Sequence, residues 1–366
     1  MWRDQRSPSV RKIAVVRANG IGDYVFSIPA LAALRRTYPD AEIVLLGKPW
    51  HAAFLAGRPG PIDRVAVVPD YPGVGAEPGT ATDTAAHERF FERMRAERFD
   101  LAVQMHGGGR YSNPFTRRLG ARYAVGLRDR DAEPLDRWVP YVYFQPEVLR
   151  YLELVSLVGA QPDALEPSIA VTAADRREAD GLGLGSSRPL VIIHPGATDL
   201  RRRWPAERFG DVARALHAAG AQVVVSGDET ERELAARVVD SAAGAAVSVA
   251  GRLSLGGLAA LLARSRVVVG NDSGPLHLAA AVGARTVGIY WVGNLINGAP
   301  LSRTRHRPLA SWRLECVECG RNTLTNACEH RSSFVADVPL EEVRGRALEL
   351  YRAETEPEPF AVAAQM

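Results

Sequence analysis

The stretch Val267-Val268-Val269-Gly270-Asn271-Asp272-Ser273-Gly274-Pro275-Leu276-His277-Leu278-Ala279-Ala280-Ala281 carries the plan of the fold. Its first four residues have the length and β-branched content of a buried strand. Asp-Ser-Gly then turns the chain, and Pro275, favoured in the first turn of a helix, starts one at once. A strand running straight into a helix is the unit from which parallel sheets are built. It also aims first-turn amides, here those of Ser273, Gly274 and Leu276, at whatever sits beyond the strand. With the helix dipole they suit a diphosphate. His277 falls on the same turn, either as a participant or as a hydrogen-bonded structural histidine.

Outward from this unit the same alternation recurs, in two sets. In the first half the expected strands are Lys12–Arg17, Glu42–Gly47, Arg64–Val68, Asp100–His106 and Tyr123–Leu127, with helices over Val25–Tyr38 and Thr84–Arg98. The second half offers Leu190–His194, Gln222–Ser226, Ala246–Ala250, Val267–Gly270 and Thr286–Tyr290, with helices over Ala206–Ala219, Glu229–Ser241, Ser254–Arg264 and Pro275–Val282. Pro162 and Pro167 break helix periodicity between the sets. The expected architecture is α/β, with two Rossmann-like doubly wound domains facing a central cleft: residues 1–165, residues 166–339, and a C-terminal helix and tail over 340–366. Loops at the carboxyl ends of the strands should line that cleft. Tyr71–Asp83, rich in Gly and Pro, reads as a surface insertion.

Composition bounds the function. The chain has 366 residues, 46% of them hydrophobic and 24% charged, with a net charge of +3. That mild excess excludes a dedicated nucleic-acid binder. No apolar run approaches the roughly 20 residues that span a bilayer. The basic N-terminus leads into an apolar stretch too short for a signal-peptide core, so a cytoplasmic protein is expected. Three cysteines do not make a disulfide framework.

Three further segments carry chemistry. After the first strand, Gly20-Ile21-Gly22-Asp23 lets backbone approach a ligand, but Asp23 would repel a pyrophosphate. A carboxylate there suits proton removal from a hydroxyl, or it caps the helix. His194-Pro195-Gly196 is followed by Thr198 and by Arg201, Arg202 and Arg203, a guanidinium-rich anion site or a solvated loop. Cys316, Cys319, Cys328 and His330 have the ligand types of a zinc knuckle. One residue between Cys328 and His330 is awkward spacing, and reduced cysteines packed under a loop are the simpler account.

Together the motifs Ile13-Ala14-Val15-Val16-Arg17, Gly22-Asp23, Ile28-Pro29-Ala30-Leu31, Phe99–Val103, His194-Pro195-Gly196, Arg203-Trp204-Pro205 and Asn271–Gly274 resemble the heptosyltransferases of glycosyltransferase family nine. The resemblance implies a GT-B fold and an inverting transfer from an ADP-sugar such as ADP-heptose, with no required cofactor or catalytic metal. It implies Asp23 as base and Arg202, where the family usually has Lys, on the donor phosphates. Asp272, Ser273 and Gly274 would hold the diphosphate and sugar. Glu231, with Asp228 and Glu229 as competitors, would take the ribose, and Leu253 would border the base.

Gly22 and, by their position after the Asp100–His106 strand, His106, Arg110 and Ser112 are expected on the acceptor side, towards a glycolipid or saccharide, the last three forming otherwise a flexible Gly-rich turn. Lys48-Pro49-Trp50 with Phe54-Leu55 is either a peripheral membrane patch at the inner face or a helix start. Two other classes compete: a nucleotide-sugar epimerase or hydrolase on this scaffold, and a non-catalytic two-lobe sugar-binding protein.

Overall fold

A computed structural model describes residues 10–353, apart from positions 82, 186 and 327. Twelve strands form two six-stranded sheets. The first holds β1 (Lys12–Val16), β2 (Glu42–Gly47), β3 (Arg64–Val67), β4 (Leu101–Gln104), β5 (Tyr123–Arg128) and β6 (Arg137–Pro140). The second holds β7 (Leu190–His194), β8 (Gln222–Val225), β9 (Ala246–Ser248), β10 (Val267–Asn271), β11 (Arg285–Trp291) and β12 (His306–Ser311). Every pairing is parallel.

The spatial orders are β3-β2-β1-β4-β5-β6 and β12-β11-β10-β7-β8-β9. Read in local numbering both are 3-2-1-4-5-6, the Rossmann order, so each lobe has a switch point between its first and fourth strands. Those crevices lie beyond β1 and β4 in one lobe and beyond β7 and β10 in the other. The architecture is the expected pair of doubly wound sheets.

Alternate strand residues feed different cores. Ile13 and Val15 join Leu190, Ile192 and Val268 in one apolar core that runs through both lobes. Ala14 and Val16 face the outer core of the first lobe, and Val191 and Ile193 that of the second. The strands are therefore apolar on both faces, as parallel strands covered by helices must be.

Several expectations need correction. β6 and β12 were not anticipated. Both are edge strands, where the Pro and Arg of Arg137–Pro140 and His306–Ser311 are tolerated because one side needs no ladder partner. The first helix is Ile21–Thr37, four residues longer at its start than expected, because Asp23 at its third position accepts the Gly20 amide at 2.9 Å. The surface insertion is exposed over residues 77–81 and 83 but is pinned at its start, where Tyr71 packs against His87, Phe91 and Phe115 and Val74 is buried. The final helix is Leu340–Arg352, packed on the outer core of the second lobe. The tail beyond 353 and the basic stretch before residue 10 lie outside the described residues.

Candidate functional site

Loops following β1, β7, β8 and β10 line one cleft of about 690 Å³ between the lobes. Gly22 and Asp23 come from the first lobe, and Thr198, Arg202, Asp228, Glu231, Leu253, Asp272, Ser273, Gly274 and His277 from the second. Two helix N-termini meet at its floor. A Cβ on Gly22 would lie 2.9 Å from the His277 ring, and one on Gly274 would lie 2.9 Å from Ile21. These glycines are needed for contact between lobes, a different reason from the ligand approach that the sequence suggests. Phe26 rests on the His277 ring at 4.6 Å.

On the second-lobe side the chemistry centres on Asp272, which is buried. One oxygen faces His277 Nε2 at 3.0 Å; the other accepts from Arg202 at 3.0 Å and from Asn294 Nδ2 at 2.6 Å. Burial alone would raise its pKa, but the His277 contact, with Arg202 and Asn294, holds it below the usual carboxylate range. With Asp272 ionised, the imidazole nitrogen facing it carries the proton. An anionic Asp272, with three of its acceptor positions already engaged, would repel a diphosphate at close contact. It sets the positions of Arg202, Asn294 and His277 instead.

Asn271 ties this turn to the arginine loop, donating to Pro195 O and accepting from the Trp204 amide. Of the three arginines, Arg201 is forked onto Asp199 and Arg203 donates to Ala197 O. Arg202 is the one of them that lines the cleft. The Leu276 amide is taken by Ser273 O at 3.1 Å and its side chain is in the core, so Leu276 leaves the expected amide set. Ser273 Oγ and Asn297 Oδ1, both on cleft-lining residues, are buried with no protein partner among the described residues.

Glu231 is nearly buried, with one oxygen on the Asp228 amide and 3.8 Å from His194 Nε2. Gly196 lies flat against it, since a Cβ there would clash with its carboxylate. Asp228 spends its own carboxylate capping Thr230 and Glu231, and Glu229 is exposed and paired with Arg232.

Across the cleft Asp23 is 37% exposed and sits 3.1 Å from the guanidinium of Arg17. Arg17 is buried; it donates to Met105 O, pairs with Glu147 at 2.8 Å and stacks on Tyr151 at 4.8 Å. Burial opposes its charge, but the Asp23 and Glu147 carboxylates keep it protonated. Glu147, Asn294 and Tyr143 also line the cleft, and the sequence reading missed them. Glu147 opens the helix Glu147–Ser156 directly after Pro146, a start signal that could have been read. Nothing local marks Asn294.

The model of glycosyltransferase family 9 (heptosyltransferase) matches residues 87–326. The chain belongs to this family. Lipopolysaccharide heptosyltransferase 3 of Escherichia coli is 26% identical over 302 residues, 77% of this chain and 84% of that protein. Lipopolysaccharide heptosyltransferase 1 of Pseudomonas aeruginosa is 27% identical over 76% of this chain and 78% of its own length. The solved glycosyltransferase family 9 structure from Veillonella parvula superposes with a TM-score of 0.76 at 20% identity, covering 95% of this chain and 99% of that one. E. coli ADP-heptose LPS heptosyltransferase II gives 0.70 at 20% identity, over 93% and 98%.

This family 9 member is a glycosyltransferase of GT-B fold, and the binding-protein and epimerase readings give way. Membership leaves the acceptor side to geometry. Ser112 is buried, its hydroxyl donating to His106 O and accepting from Gln104, so it holds a turn and does not face a ligand. His106 accepts the Ala18 amide at 3.2 Å, its pKa pushed down to about 4 by burial and by Arg17. Arg110 is exposed beside Tyr111, and none of these three lines the cleft. Trp50 stacks on buried His51 and Phe54 is buried, so the segment from Lys48 is a helix start. Among the described residues no helix is long and apolar enough to cross a membrane.

Proposed function

We propose that this glycosyltransferase moves heptose from ADP-heptose onto a saccharide or glycolipid hydroxyl, with inversion and with no metal acting at the reacting bond. The observation that carries this is the cluster at the start of the helix Gly274–Ala281. Arg202 and the amides of Ser273 and Gly274 lie there beside a Ser273 hydroxyl with no partner among the described residues, with the Asp23 carboxylate on the opposite wall. The names of the relatives support the donor, as does the likeness to E. coli heptosyltransferase WaaC with ADP-2-deoxy-2-fluoro heptose, at a TM-score of 0.61 and 19% identity.

In this reading residues 166–339 bind the donor and residues 1–165 the acceptor. As the anomeric carbon–oxygen bond breaks, negative charge gathers on the diphosphate, where Arg202 and the amides of Ser273 and Gly274 stabilise it. Glu231 accepts ribose hydroxyls and Leu253 borders the base. Asp23 takes the acceptor proton from the far face, and Arg17 fixes its carboxylate. Half-exposed Val142, Tyr143 and Phe144, beside the cleft through Tyr143, give a lipid-linked acceptor an apolar approach at the inner face of the cell membrane.

The test is transfer from ADP-heptose to saccharide-core acceptors, followed by ADP release and by the product's anomeric configuration. Wild type should give the configuration opposite to the donor. Asp23→Asn should lower kcat by roughly 10²- to 10⁴-fold with donor affinity kept. Near-normal turnover by a folded Asp23→Asn variant would remove Asp23 as the base.

A further inference from the structure

Cys316, Cys319, Cys328 and His330 lie outside the cleft, and the transfer chemistry makes no use of them. The thiols are reduced and Cys316 is buried, as in the simpler account. Cys319 is exposed and Cys328 half-buried, and the one-residue spacing does not stop Cys328 and His330 from converging. Four ligand atoms, one from each residue, lie within 4.8 Å of one another.

Three of the six separations come close to the edges of a coordination tetrahedron. With zinc bonds of about 2.3 Å to sulfur and about 2.0–2.1 Å to nitrogen, tetrahedral edges are about 3.8 Å for S···S and about 3.6 Å for S···N. Cys319 Sγ to Cys328 Sγ is 3.5 Å, Cys316 Sγ to His330 Nδ1 is 3.6 Å, and Cys328 Sγ to His330 Nδ1 is 3.2 Å. A disulfide would need sulfurs at about 2.05 Å. The other imidazole nitrogen, Nε2, faces Glu318 Oε2 at 3.6 Å. A carboxylate on the far nitrogen is the usual means of fixing the tautomer of a metal-bound histidine.

The backbone is shaped to match. The Gly320 amide donates to Cys316 O at 2.9 Å, and Gly320 takes a φ of +69° immediately after the second cysteine. An isolated bridge between Glu315 and Asn322 closes the knuckle. Between β12 and the helix Leu340–Arg352 the described residues form no helix or strand, and Trp312 and Val317 are 70% and 58% exposed. As far as His330 this segment has little apolar burial to order it, Cys316 being its buried apolar residue among the described ones, and a metal crosslink supplies the missing constraint.

We propose that these four residues form a closed, structural Cys3His zinc site. Its far end is fastened to the arginine loop. The Phe334 amide donates to Arg201 O at 2.6 Å, Ser333 Oγ donates to Arg203 O at 2.7 Å, and the Arg201 guanidinium lies 4.9 Å over the Phe334 ring. The site therefore steadies the backbone on either side of Arg202.

The test uses the full chain, freed of any histidine tag and purified without chelator. Elemental analysis should find about one zinc per chain, and cobalt substitution should give the visible absorption of a tetrahedral thiolate-rich site. Zinc should shield the three thiols from a disulfide reagent, and chelation should lower Tm. His330→Ala should lose most of the metal, while His330→Cys, which keeps four ligands, should retain it. Overturning results are metal content indifferent to His330→Ala, thiols that react equally fast with and without zinc, or stoichiometric iron where zinc is expected. None of these readouts depends on the donor or on transfer.

Discussion

Arg202 is the residue whose removal should be felt most directly by a nucleotide. It has two tasks, a bond to Asp272 and a free face towards the cleft. Arg202→Ala should weaken ADP binding by about tenfold to a hundredfold, the 1.5–3 kcal/mol of a charged hydrogen bond. Asp272→Asn should also weaken it without touching the nucleotide, because His277, Arg202 and Asn294 lose their common anion. Calorimetry on both variants checks this, and unchanged affinity in both would mean the phosphates bind elsewhere. At this scale the legible residues were those inside contiguous motifs. Asp23, Thr198, Arg202, Glu231, Leu253, Ser273 and His277 all reach the cleft. Ser112 and Leu276 did not, since no pattern tells a hydroxyl spent on a carbonyl six residues back from a free one. Asn294 meets Asp272 across 22 residues that carry no motif.

Elements were legible where apolar runs are bounded by turns and obscure where tertiary context relaxes the rules. Ten strands followed from the alternation, whereas β6 and β12 hide because an edge position admits Arg and Pro. The first helix shows a different limit. Gly20-x-Gly22 suggests a ligand turn, yet Gly22 is already helical and touches the His277 ring. Only the packing of this helix against the helix Gly274–Ala281 explains that glycine. Gly22→Ala should therefore overpack the floor of the cleft and cost roughly 1–3 kcal/mol, read as a lowered urea midpoint. An unaffected midpoint would show that the His277 ring can swing aside.

Across the whole molecule the lobes share one core, and a buried ion pair joins them. Arg58, beyond the helix Pro49–Leu55, meets Asp175 of the second lobe at 2.7 Å and also donates to Ala170 O. The molecule should therefore be sensitive to mild acid as a unit. His51 and His106 in the first lobe and His306 in the second have pKa values pushed down to about 3, 4 and 4 by burial and by neighbouring cations. Unfolded histidine titrates near 6.5. The stability these groups contribute is fully present above about 6.5 and is lost as pH falls from there through 4, because the unfolded chain takes up the protons first. Urea midpoints measured from pH 7 to 4.5 should fall steadily, and His51→Gln should flatten the slope; a flat wild-type profile would contradict neutral buried imidazoles. The central claim, a glycosyltransferase cleft whose second lobe grips an ADP-linked donor without a metal at the phosphates, is tested most directly by calorimetric titration with ADP, GDP, UDP and CDP, with and without EDTA. The account predicts that ADP binds most tightly and that EDTA does not abolish its binding. Preference for another nucleotide, or loss of ADP binding in EDTA that magnesium restores and zinc does not, would contradict it.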